Sequence, residues 1–178
     1  VTAVLALLAI QGALGAFDTL YYHEYRARLP AGGARTRPEL RLHAARDFVY
    51  AVLFATLPFV AWQGVFAAVL AALIGAEVAI TLSDFALEAR TRVPEGVLPG
   101  ERITHGVMAI VYGAMLACLA PIAWEWAQQP SGLVRVEHGA PPLLLAALVA
   151  MAIGVLASGA RDVYAAAGLP GGGSPWRE

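Results

Sequence analysis

The sequence predicts an all-α, polytopic membrane protein with five transmembrane helices, in which spans one to four form a four-helix core bundle and span five packs outside it. Three observations predict this. Hydrophobic residues make up 59% of the 178 residues and charged residues only 14%, well away from the balance of a soluble domain. Several apolar runs approach the ~20 residues that cross a bilayer. All twelve basic residues are arginine, and they divide unevenly between the two sides of a five-span chain.

The spans are expected at 2–22, 42–62, 65–88, 103–124 and 141–160. No basic region precedes Val4–Ile10, so a cleaved signal peptide is not expected. Asp18 interrupts the first span, and Glu77 and Asp84 interrupt the third. Trp62-Gln63-Gly64 supplies the turn between spans two and three. Span four ends at Trp124-Glu125-Trp126, whose indoles suit a membrane interface. Gln128–Gly139 reads as a polar loop, in which His138 is isolated and has no expected role. Residues 1–168 thus form one five-span domain. Residues 169–178, rich in glycine and proline, form a flexible cytoplasmic tail.

Arginine sets the orientation. The 23–41 loop, the 89–102 loop and the carboxyl tail share one side with eleven arginines, and only Arg135 lies opposite. The positive-inside rule makes that side cytoplasmic and the amino terminus external, in a cell inner membrane. With no lysine and a net charge of −1, nucleic acid is not an expected partner. The lone Cys118 excludes an intrachain disulfide and a thiolate metal cluster. Dinucleotide, P-loop and serine-elbow motifs are absent. Gly154-x-x-x-Ser158 reads as a close-packing stripe.

The chemistry is expected at the arginine-rich end. Glu39, His43 and Asp47 recur at four-residue intervals, which places them on one helix face. Glu101 and His105 repeat the first two. Each Glu-x-x-x-His opens a helix and follows a helix end with carboxylates: Asp18, His23 and Glu24 before the first, Asp84 and Glu88 before the second. At ~1.5 Å per residue the histidines lie about 3–5 Å inside the boundary and the aspartates about 9–12 Å inside, so a histidine layer overlies an aspartate layer. Glu77 lies near mid-span, at a depth comparable to Tyr50 and Tyr112.

Imidazoles and carboxylates without thiolates suit iron, manganese or zinc. The expected ligands are Asp18, His23, Glu39, His43, Asp47, Asp84, Glu88, Glu101 and His105. Glu77, Tyr50 and Tyr112 are expected to serve catalysis, and Tyr22 is a further candidate redox residue. The order carboxylate, Glu/His, carboxylate, Glu/His resembles the ligand order of ferritin-like di-iron carboxylate proteins. It departs from them in its Glu-x-x-x-His spacing, in ligands near helix ends and in membrane helices.

The resemblance implies a di-iron centre that oxidises a lipid-soluble substrate, with electrons from a separate donor. Two alternatives stand beside it. Three histidines and an aspartate can hold zinc and activate water for lipid hydrolysis, as in membrane hydrolases of the alkaline ceramidase and adiponectin-receptor type, which have seven spans. A non-catalytic small subunit would use the same residues as structural ion pairs, with Arg46 or Arg161 as partners, and Glu39 as a capping-box residue after Thr36.

Overall fold

The computed structural model describes every residue except 93–95, 138 and 174–178. His138 and the end of the expected tail therefore lie outside the described residues. The chain is mostly helical: α1 (Thr2–Phe17) continued by a π-helical segment (Asp18–Arg26), then α2 (Arg37–Thr56), β1 (Val60–Gln63), α3 (Val65–Thr91), α4 (Pro99–Ala127), β2 (Gly132–Arg135) and α5 (Pro142–Ala166). Four helices are long and apolar enough to cross a membrane: Thr2–Arg26, Val65–Thr91, Pro99–Ala127 and Pro142–Ala166.

The expected second span is the exception. Its helix is shifted towards the amino terminus, and the charged turns around Arg37, Glu39, Arg41, Arg46 and Asp47 lower its hydropathy below that of the other four. It stops at Thr56 because Pro58 has no N–H to continue the helix. Residues 60–63 leave the helix altogether. They pair antiparallel with β2, with Val60 opposite Arg135 and Gln63 opposite Gly132. The all-α expectation is corrected to this extent, as is the loop expected at 128–139. Gly64 makes the turn into α3 with φ 56°, and a Cβ there would lie 2.6 Å from the Ser131 Cα.

The placement of α5 is also corrected. It packs along α2 and also touches α1, so the bundle has five members. Gly159 permits this: an added Cβ would sit 3.1 Å from the Asp47 Cβ and 3.3 Å from the Ala44 carbonyl oxygen. Gly154 faces open space, so the close approach falls at Gly159, the residue that follows the end of the expected stripe.

The inward face of each helix changes character along its length. On α3 the sequence Ala67, Leu70, Ile74, Glu77, Thr81, Asp84, Glu88 alternates steps of three and four, which keeps one stripe facing the bundle. Its first half is apolar and its second half polar. At the strand-bearing end the core is Leu5, Leu8, Leu53, Phe54, Leu70, Met115, Leu119 and Leu148. At the other end the bundle encloses charge. The outward faces remain apolar, with Ile110 74% and Leu143 81% exposed.

Candidate metal centre

The π-helical segment explains how two of the polar residues meet. On an α-helix, residues five apart lie about 140° around the axis from one another. In a π-helix the backbone bonds run between residues five apart, which aligns them; the Ala27 N–H donates to the Tyr22 carbonyl in this way, at 2.8 Å. Asp18 and His23 are five apart. Both are buried, and Asp18 Oδ2 lies 3.3 Å from His23 Nε2.

The two hairpins then exchange partners. Asp18, from the first, lies 3.1 Å from His105 Nε2, from the second. Asp84, from the second, lies 3.0 Å from His43 Nε2, from the first. The aspartate and histidine layers expected one above the other are therefore in direct contact. His23 sits between them, its ring stacked on His43 with centroids 4.4 Å apart and edge-on to His105 at 6.2 Å.

Two groups of metal-ligating side chains gather around His23 and His43. One contains His23, Glu88, Glu101 and His105, the other Glu39, His43 and Glu88, with ligand atoms in each no more than 4.8 Å apart. Glu88 belongs to both. Opposite ligands on one ion with ~2.1 Å bonds stand about 4.2 Å apart, so shifts of a few tenths of an ångström close each set. His23 Nε2 is 3.2 Å from Glu101 Oε1, and His43 Nε2 is 3.0 Å from Asp84 Oδ2, yet neither nitrogen has a hydrogen-bond partner. For His23 and Glu101, members of one group, such a spacing without a hydrogen-bond direction matches the ~3 Å edge between neighbouring ligands of one ion.

The rim carries its own counter-charges. Arg92, directly after α3, pairs with Glu39, Glu88 and Glu101. Burial works against its charge, but Glu39 and the other two carboxylates outweigh that and hold its pKa above the ordinary arginine value. Arg46 donates to Asp84 Oδ2 at 3.4 Å. Asp18, Glu39, Asp84, Glu88 and Glu101 thus face two guanidinium groups, which leaves three negative charges while the imidazoles are neutral. A buried surplus of that sign is costly without cations.

Asp47 does not join either group. Steps of four on a 3.6-residue helix drift by about 40°, so Asp47 is turned about 80° from Glu39, towards Gly159 of α5. Arg46 and Tyr50 take its place on the inward face. The Thr36 hydroxyl donates to the Leu29 carbonyl (2.7 Å) and makes no cap, so the Glu39 capping box does not form. Glu101 does cap its helix, accepting the Leu98 N–H through Oε2 at 3.4 Å, while Oε1 faces His23.

Deeper in the bundle, Thr81 donates to Glu77 at 2.9 Å, and Glu77 faces the Tyr50 and Tyr112 hydroxyls. Gln11 donates to Tyr50 at 3.3 Å. Tyr22 is away from this layer, its hydroxyl against Gly100. Sequence reasoning missed Asp162, buried on α5 with Oδ2 4.0 Å from His43 Nδ1. It also missed the pairing of Arg161 with Glu24. The signal that could have found them is an acid beside an arginine at the polar end of an apolar run, on the span expected to pack outside the core.

Comparison with protein-family models finds no match, and comparisons with curated proteins and with solved structures find none either.

Proposed function

We propose that the chain is an integral-membrane metalloenzyme with a dinuclear His/carboxylate centre, oxidising a lipid-soluble substrate at the cytoplasmic end of the bundle. The observation that carries the reading is Glu88, a buried carboxylate common to both ligand groups and able to bridge two ions. Its neighbours divide the work. His23, His105 and Glu101 serve one ion, and His43 and Glu39 the other. Asp18 and Asp84 hold the His105 and His43 rings from behind, as second carboxylates do in metal sites.

Three carboxylates and three imidazoles without thiolates suit iron or manganese as well as zinc, and a carboxylate shared between two ions favours a dinuclear iron centre. Iron in such a centre supplies dioxygen activation. Glu77, Tyr50 and Tyr112 form the polar layer beneath it, where they can hold a proton close to the reaction. Apolar outward faces admit a substrate from lipid, and the arginine-rich end is the cytoplasmic one. Electrons would come from a separate donor.

A second reading has its own observation. Three imidazoles within stacking distance also suit zinc with an activated water, as for lipid hydrolysis. Metal analysis of the purified full chain, with Mössbauer spectroscopy after iron-57 growth, separates the readings. About two coupled irons per chain supports the oxidase, stoichiometric zinc supports the hydrolase, and no metal leaves an ion-paired membrane subunit.

A further inference from the structure

Above the centre a cavity of about 280 Å³ opens at the arginine-rich end. Its floor contains Glu39, Glu101 and Arg92, the residues that close the metal groups on that side. Arg26, the last residue of the π-helical segment, and Arg35, in the loop before α2, line its walls. Both are exposed, and neither has an ion pair or hydrogen bond among the described residues. Leu29 and Leu98 add an apolar side.

We infer that this cavity seats the oxyanion headgroup, carboxylate or phosphate, of a long-chain amphiphile, which is the substrate if the proposed metal centre is correct. The volume is that of about nine waters at ~30 Å³ each, enough for a headgroup and the first methylenes but not a whole chain. Guanidinium groups offer paired N–H donors that match a carboxylate or phosphate edge. Arg26 and Arg35 have no acids of their own to satisfy, unlike Arg92 and Arg161. The headgroup held there lies next to the ligand carboxylates, so the acyl chain begins beside the centre. Cations at the centre would draw Glu39 and Glu101 away from the anion, so metal and anion favour each other.

The test uses the full chain in nanodiscs of zwitterionic lipid and palmitate spin-labelled near its methyl end. Saturable immobilisation of the label is expected, and Arg26→Gln/Arg35→Gln should weaken it by about tenfold or more with metal content unchanged. Displacement of the label by inorganic phosphate assigns recognition to the oxyanion alone; a label that phosphate leaves in place assigns the acyl chain a share. Methyl palmitate that competes as well as the acid, or a double variant that binds like wild type, would overturn the inference. Arginine-dependent binding by a chain that carries no metal keeps the cavity and removes the metal centre, so the two readings fail separately.

Discussion

Among single residues, Glu88 is the most informative because it is the one side chain common to both ligand groups. Replacing it with Ala should strip both ions, whereas His43→Ala should leave about one of two, and His105→Ala likewise. Metal content per chain, measured after size exclusion, decides this; equal losses in all three variants would mean a mononuclear site. Asp18 and Asp84 act through histidines, so Asp18→Asn and Asp84→Asn should weaken metal binding about 10- to 100-fold without abolishing it. Glu39→Gln is now a clean probe, since Thr36 makes no cap with it. Insertion should be unaffected and metal affinity reduced; a Gln variant with wild-type affinity would leave Glu39 only as an anchor for Arg92.

Among the elements, the π-helical segment is the device that aims Asp18 and His23 at one point. Inserting one alanine after Leu20, which is exposed, should place Asp18 and His23 six residues apart, a spacing that neither an α- nor a π-helix aligns, and turn His23 away from Asp18. The variant should still insert, because apolar packing elsewhere is unchanged, but bind no metal at His23. Retention of full metal content would show that the segment does not position the site. No residue in 18–26 announces a π-helix, so this element was illegible in sequence, whereas the four apolar runs and the Glu-x-x-x-His helix starts were plain. Asp47 was misplaced for a related reason: a spacing of four approximates a helix face over one turn and drifts off it over two. Pro58 was the readable sign that α2 stops early, and Asp162 and Arg92 became part of the site only through packing that no local pattern encodes.

For the whole molecule, the described arginines other than Arg135 gather at the end that holds the site, while Arg135 lies in β2 at the other. Reporter fusions after Arg92 and after Gln129 should therefore report opposite compartments, the first cytoplasmic; a shared compartment would undo the bundle's orientation. The same charge distribution sets a thermodynamic test. With the imidazoles neutral, three surplus negative charges inside the polar end oppose its closure until cations arrive, and metal that binds only the folded bundle stabilises it by RT ln(1 + [L]/Kd), ~2.7 kcal/mol at a hundredfold excess over Kd. For a chain of this length that is roughly 5–10 °C in the melting temperature. Chelation should lower the midpoint in detergent by this order, readdition of iron should restore it, and Glu88→Ala should be insensitive to both. A midpoint that ignores chelator in the wild type would mean that Arg46, Arg92 and protonated imidazoles together balance the acids. The centre would then be an ion-pair network that holds the helices together.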